Sequence, residues 1–173
     1  MENSQTKHWD QINTQCQPEI PFCRASLLPE ETFAMGEKLA LLLEKGSVVA
    51  LNGPLGAGKT CFAKGIASGL GVKDEVTSPS YTIISEYEGI LRGKTIPVFH
   101  IDLYRLDGND DFDAIGGGEI IYGDGISVIE WADRISGFIP MGAINVDIEI
   151  KAGSERLIRI YRGEKPPFIG DFA

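Results

Sequence analysis

Eight consecutive residues carry the strongest chemical pattern in the chain. Gly53-Pro54-Leu55-Gly56-Ala57-Gly58-Lys59-Thr60 matches the phosphate-loop pattern G-x-x-x-x-G-K-[ST] at every specified position. In such a loop, backbone N–H groups turn inward around phosphate oxygens, and the helix that follows points its positive end at them. Lys59 would neutralise phosphate charge, and the Thr60 hydroxyl would be an oxygen ligand for Mg²⁺. The pattern therefore predicts a site for a nucleoside triphosphate with magnesium.

Two carboxylates follow the phosphate loop, each where an apolar strand is predicted to end. Hydrolysis needs such an acid at a strand end, together with a group that positions water. Asp102 ends the segment IPVFHID, and Glu130 ends the segment ISVIE. Either could hold magnesium, directly or through water, or orient the attacking water. Their spacing in the sequence leaves the two roles unassigned.

Further polar residues lie close to these carboxylates in the sequence. The hydroxyls of residues 77–80 fall where switch segments of P-loop proteins sense a γ-phosphate, and a plain turn is the alternative. His100 shares a predicted strand face with Asp102, so it could contact nucleotide, water or a partner, support a neighbouring group, or be purely structural. Arg105 could stabilise transferred charge or form a surface ion pair.

The segments around these residues predict an α/β fold. The phosphate loop follows a short apolar strand and precedes a helical segment, as its pattern requires. The predicted elements are a helix over 29–46, a strand over 47–53, a helix over 61–72, a pair of strands over 81–87 and 95–104, loops around short helices over 107–125, a buried strand over 126–131, and two strands over 144–161 joined at Gly153-Ser154. Together they indicate a single domain with a P-loop NTPase-like mixed sheet, flanking helices and an antiparallel portion.

Composition excludes several classes of protein. The chain has 173 residues, of which 43% are hydrophobic and 24% charged, as in an ordinary globular domain. Residues 1–24 are polar and aperiodic, so we expect an N-terminal tail followed by one domain over 25–173 that contains the phosphate loop; the family resemblance described below implies that it is a P-loop ATPase domain. The longest apolar stretch lies near 39–43, far too short to span a membrane. The first twenty residues lack the apolar segment of a secretory signal, so a cytoplasmic location is expected.

The balance of charge argues against direct binding of nucleic acid. Sixteen Lys and Arg against 25 Asp and Glu give a net charge of -9. Affinity for a phosphate backbone comes from basic groups that release counterions, and this chain has too few of them. Any nucleic acid involved is therefore expected to be held by another chain.

Four segments, in this order, resemble one protein family. GPLGAGKT, VTSPSYTIISEY, FHIDLYRL and VIEWADR are similar to the corresponding segments of the bacterial TsaE (YjeE) ATPases of tRNA threonylcarbamoyladenosine biosynthesis, over residues 32 to 161. The resemblance implies a small α/β protein that binds ATP and slowly hydrolyses it with Mg²⁺. It also implies action with the TsaD and TsaB proteins, which modify adenosine 37 of tRNA, so contact with tRNA would be indirect.

The resemblance implies roles for the residues of the phosphate loop. Residues 53–60 and the next residue, Cys61, look like the nucleotide-binding segment. Lys59 would act on the phosphates, as both a binding and a catalytic group, and Thr60 on Mg²⁺. Pro54 departs from the acidic residue that is common at this position of the family.

The resemblance also implies roles outside the loop. Glu130 looks like the second metal ligand, and Asp102 like the acidic residue required for ATPase activity. Ser80 stands where the family usually has threonine in S-P-T, and it keeps a hydroxyl at a position expected to take part in catalysis. Contacts to the nucleotide are implied for Thr32 and Arg156.

Three other functions are compatible with a phosphate loop. A small-molecule kinase usually carries an arginine-rich lid, whereas Arg156, Arg159 and Arg162 fall on a predicted strand. A GTPase would carry the guanine-reading pattern N-K-x-D, which the sequence lacks. A non-catalytic nucleotide-binding adaptor, docking a partner through its sheet and the acidic segment 107–113, fits the same residues, because slow hydrolysis and no hydrolysis look alike in a sequence.

Overall fold

A seven-stranded sheet forms the centre of the fold. The computed structural model describes residues 20–165. Its strands are β1 (Phe22–Ser26), β2 (Val48–Asn52), β3 (Ile84–Leu91), β4 (Lys94–Asp102), β5 (Ile126–Glu130), β6 (Ile144–Ile150) and β7 (Arg156–Arg162); its helices are α1 (Pro29–Ala40), α2 (Lys59–Gly69), α3 (Asn109–Ala114), α4 (Gly117–Ile121) and a 3₁₀ helix (Ala132–Ile135). The strands lie in the order β1-β7-β6-β2-β5-β4-β3 across the sheet.

The sheet is mixed, with a parallel centre and antiparallel borders. β2 pairs in parallel with both β5 and β6, and β4 pairs in parallel with β5. β3 is antiparallel to β4, β7 to β6, and β1 to β7. All five residues of β5 are buried, because apolar layers cover both faces of the central strands. The predicted α/β class, with a P-loop NTPase-like mixed sheet and an antiparallel portion, is confirmed.

Helices α1 and α2 pack closely on one face of the sheet. Phe62 of α2 is fully buried there among aliphatic side chains. Gly65 lets the two helix backbones approach: a Cβ at this position would lie 2.1 Å from the carbonyl oxygen of Phe33 in α1. This contact fixes the position of α2, and α2 begins with the last residues of the phosphate loop.

The strands β3 and β4 form the expected pair, but their bounds differ from those predicted. β3 begins at Ile84 instead of residue 81, because Ile83 has a positive φ of 67° and its N–H donates to the carbonyl of Pro79. Gly89, which falls between the two predicted strands, lies within β3 and pairs with Ile96. The turn itself falls later, between Leu91 and Lys94.

The predicted boundary between tail and domain, between residues 24 and 25, falls inside β1. β1 starts at Phe22, which pairs with Ile160 of β7, so residues 22–24 are part of the sheet. A short edge strand is held by backbone hydrogen bonds to its neighbour, and no local pattern of side chains predicts those bonds. Residues 1–19 of the predicted tail lie outside the described residues. Within 20–165, no helix is long and apolar enough to cross a membrane.

We expect Gly65→Ala to lower the free energy of unfolding by about 1–3 kcal/mol, because the added methyl group would press on the backbone of α1. Urea denaturation measures this loss. Gly142→Ala is the matched control, because a Cβ there would meet nothing within 4 Å. Equal stability of the two variants would contradict the proposed tightness of the contact between α1 and α2.

Candidate functional site

The phosphate loop joins the end of β2 to the start of α2. Its first residue, Gly53, has a φ of 145°, and a Cβ at this position would lie 2.4 Å from the carbonyl oxygen of Ile148 in β6. Its last glycine, Gly58, caps α2 in a left-handed conformation. The loop is therefore held against the sheet in a shape that side chains at these positions would prevent, and α2 starts at Lys59.

A cavity of about 560 Å³ opens over this loop. It lies at the carboxyl ends of the parallel strands β4 and β5, the edge at which α/β sheets bind ligands. Its lining comprises residues 55–60, Ser78, Ser80, Tyr81, Asp102, Tyr104, Arg105, Glu130 and Trp131. The structure thus brings together both candidate carboxylates, most of the loop and the hydroxyl of Ser80.

Glu130 is buried between the phosphate loop and β4. One carboxylate oxygen, Oε2, accepts a hydrogen bond from Thr60 Oγ1 at 3.0 Å. The other, Oε1, lies 2.8 Å from Nε2 of His100, and both of these side chains are buried. Both oxygens of Glu130 are therefore engaged, each by a residue of a different element.

Asp102 is held by a different set of groups. Its Oδ2 accepts hydrogen bonds from Ser78 Oγ at 2.9 Å and Ser80 Oγ at 3.0 Å, and its Oδ1 accepts from the backbone N–H of Tyr104 at 3.0 Å. The two serine hydroxyls also lie 2.7 Å apart. Residues 77–80 are therefore connected to the end of β4 through one carboxylate.

Lys59 points back along its own loop. Its Nζ donates to the carbonyl oxygens of Gly53 at 2.7 Å and Pro54 at 2.9 Å, and it lies 3.6 Å from the ring centroid of Trp131. Burial lowers the pKa of Lys59 from its ordinary value, and the negative charge of Glu130 partly opposes this shift. The ammonium therefore donates to two carbonyl oxygens of the loop, and the oxygens of a phosphate group could take their place as acceptors.

Three other candidate residues lie beside the loop and do not line the cavity. Thr32 is buried in α1, where its hydroxyl shares a 2.8 Å hydrogen bond with Ser26. The thiol of Cys61 donates to the carbonyl of Pro29, and burial raises its pKa. Arg156 reaches the loop from β7, where it donates to the carbonyl of Gly56 at 3.4 Å.

Aromatic residues at the rim of the cavity were missed by the sequence analysis. Trp131 follows Glu130 in a left-handed conformation with a φ of 60°, which places its ring beside Lys59, and its ring centroid lies 5.2 Å from that of Tyr104. The guanidinium of Arg105 stacks over Tyr81 at 4.4 Å. The segment VIEWADR contains Trp131, but its ring faces the loop because Trp131 itself adopts the left-handed conformation directly after β5.

Comparison with known proteins identifies the family. The family model described as "Threonylcarbamoyl adenosine biosynthesis protein TsaE" matches residues 28–158. The chain belongs to the TsaE family. Within the matched range lie the phosphate loop, both carboxylates and Ser80, so the TsaE resemblance read from four sequence segments is confirmed.

TsaE proteins from distant bacteria are similar over most of their length. The chain is 41% identical over 131 residues to a tRNA threonylcarbamoyladenosine biosynthesis protein TsaE from Treponema pallidum, covering 76% of this chain and 93% of the relative. It is 43% identical over 135 residues to the protein of the same name from Aquifex aeolicus, covering 77% and 90%. The crystal structure of YdiB from Bacillus subtilis superposes with a TM-score of 0.66 at 35% identity, covering 82% and 86%.

Replacement of Ser78 and Ser80 by Ala tests the hydrogen bonds of Asp102. We expect each single variant to lower the free energy of unfolding by about 1 kcal/mol, since the remaining hydroxyl still donates to the carboxylate. The double variant should lose more than the sum, because Asp102 then keeps only a backbone donor.

Urea denaturation of the four proteins gives this double-mutant cycle. Ser154→Ala, in the exposed turn before β7, is the control. Strictly additive losses would contradict a shared role of the two hydroxyls at Asp102.

Proposed function

We propose that this chain is an ATP-binding and slowly hydrolysing subunit needed for threonylcarbamoylation of adenosine 37 in tRNAs, and that it acts with the TsaD and TsaB proteins. One observation carries the enzymatic part of this proposal. The hydroxyl of Thr60, at the end of the phosphate loop, donates to the carboxylate of Glu130 at 3.0 Å in the cavity that Asp102 also lines. This is the arrangement of hydroxyl and acid that a nucleotide with magnesium requires.

The donor atoms at this point fit magnesium. Thr60 and Glu130 offer a hydroxyl and a carboxylate oxygen, and a hard cation prefers oxygen ligands. Among residues 20–165, no group of three or more His, Cys, Asp or Glu could hold a metal alone. Magnesium usually binds through one or two protein oxygens together with phosphates and water. When bound, Mg²⁺ neutralises phosphate charge, and Thr60 and Glu130 are the residues that would hold it.

Lys59 and Asp102 provide the remaining chemistry. Binding of nucleotide would let Lys59 exchange the loop carbonyls for phosphate oxygens, while the backbone N–H groups of the loop surround the same phosphates. Asp102 would accept a hydrogen bond from the attacking water and so orient it toward the γ-phosphate. Ser80, which already contacts this carboxylate, would hold Asp102 until the attacking water replaces this hydrogen bond.

The remaining parts of the proposal rest on charge and on the relatives. The chain has a net charge of -9, so tRNA is expected to be bound by partner proteins. The relatives in Treponema pallidum and Aquifex aeolicus are named for tRNA threonylcarbamoyladenosine biosynthesis. TsaD and TsaB are the partners that the family implies, and a chain that serves tRNA modification in bacteria would work in the cytoplasm.

The proposed ATPase activity is tested with the purified chain, alone and with TsaD and TsaB. We expect the partners to stimulate hydrolysis, and Asp102→Ala to lower the rate by about 10²-fold while ATP affinity changes little, because Asp102 positions water without holding the phosphates. Asp124→Ala, which removes an exposed carboxylate paired with Lys45, should leave the rate unchanged. ATP binding without any hydrolysis or stimulation would favour the nucleotide-dependent adaptor.

The link to tRNA modification is tested with a variant of the loop lysine. Lys59→Ala should weaken ATP binding by about 10- to 100-fold, because charge-assisted hydrogen bonds to phosphate are lost, and it should stop repeated rounds of threonylcarbamoylation with TsaD and TsaB. Lys64→Ala, which removes the same charge from the exposed face of α2, is the control. With ATP held below the dissociation constant of the variant, equal multi-turnover modification by Lys59→Ala and by the unmodified chain would contradict a role of ATP binding in the reaction.

A further inference from the structure

A buried histidine contacts the carboxylate proposed to hold magnesium. His100 lies in β4, where its side chain is 3% exposed, and its Nε2 is 2.8 Å from Oε1 of Glu130. Glu130 directs its other oxygen toward Thr60. His100 does not line the cavity, so it reaches the nucleotide site only through Glu130.

The contact with the Glu130 carboxylate makes Nε2 of His100 the donor nitrogen. A carboxylate oxygen can only accept, so Nε2 must donate to Glu130. The other nitrogen, Nδ1, is buried and has no hydrogen-bond partner within the described part of the chain. Among residues 20–165, the ring therefore has one polar contact, which is the contact with Glu130.

This contact limits the rotation of the carboxylate. With Oε1 bonded to the ring of a buried strand residue, Oε2 is directed at Thr60 and the phosphate loop. A free carboxylate would rotate and would lose freedom when it bound a cation, whereas a bonded one is already oriented. Strand pairing maintains the arrangement, because β4 and β5 are in register at Asp102 and Glu130.

We propose that His100 is a positioning residue: its Nε2–H orients Glu130 so that the carboxylate binds the magnesium of a magnesium–nucleotide complex. The proposal rests on the function proposed above and adds a residue that the family resemblance did not assign. We therefore expect loss of this donor to reduce the part of the nucleotide affinity that comes from magnesium. The part that comes from the phosphate loop should not change.

The test measures ADP affinity of the full chain by calorimetry, in excess Mg²⁺ and in EDTA. The ratio of the two affinities gives the metal contribution. His100→Leu removes the donor, and we expect it to lower this ratio by about 10-fold or more, as loss of a group that orients a metal ligand typically does. Affinity in EDTA should match that of the unmodified chain.

Two amide variants separate the donor from the packing of the ring. Gln can present an N–H near the place of Nε2, so His100→Gln should largely keep the ratio, whereas the shorter His100→Asn should lose it as His100→Leu does. This matched pair keeps the test decisive if His100→Leu does not fold. Ser127→Ala, a buried change in β5 at a hydroxyl without a partner among residues 20–165, is the control and should keep the ratio.

The alternatives give different results. A purely structural role of His100 would weaken ADP binding equally in Mg²⁺ and in EDTA, and this would overturn the proposal. A full ratio in both His100→Leu and His100→Asn would also overturn it, while leaving the proposed ATPase intact. If Mg²⁺ does not raise ADP affinity even in the unmodified chain, the magnesium-dependent function fails and the role of His100 fails with it.

Discussion

Two carboxylates buried side by side impose the main physical demand on this structure. The parallel register of β4 and β5 pairs Asp102 with Glu130, and the two residues are 4% and 3% exposed. A carboxylate removed from water is costly unless donors replace its hydration. The donors that do so are Thr60 and His100 for Glu130, and Ser78, Ser80 and the backbone of Tyr104 for Asp102. They come from α2, β4 and the loops at the edge of the sheet, so the site exists only when these elements are assembled together.

The packing of α2 determines whether the Thr60 hydroxyl lies where it can donate to Glu130. Successive residues of an α-helix are rotated by about 100°, so a shift of α2 by one residue would turn Thr60 away from Glu130. Phe62, fully buried under the helix, and the close approach of Gly65 to α1 prevent such a shift. At the other end of the loop, Gly53 is pressed against β6. The packing of the hydrophobic core therefore keeps Thr60 within hydrogen-bonding distance of Glu130.

The sequence predicted those features whose conformation is determined by a short stretch of neighbouring residues. The phosphate loop specifies its own backbone shape, and the central strands are buried on both faces, so they read as continuous apolar segments. The partners of Asp102 and Glu130 could not be predicted, because they depend on the register of β4 against β5 and on the fold of residues 77–83. The place of Trp131 likewise follows from one αL residue after β5. β1 was missed because its hydrogen bonds to β7 join residues far apart in the chain.

The two carboxylates are bonded to parts of the molecule that differ in their packing, and this difference bears on their proposed roles. Glu130 is joined to α2 and β4, both of which are packed in the core. Asp102 is joined through Ser78 and Ser80 to a segment outside helices and strands, in which Tyr81 is 86% exposed. A carboxylate that binds a metal ion benefits from a fixed orientation. A carboxylate that orients water must instead accept a hydrogen bond from the water in place of one from its present donors. Rearrangement of residues 77–83 would release Asp102 and leave Glu130 in place, which supports the proposal that Glu130 would hold magnesium and that Asp102 would act on water.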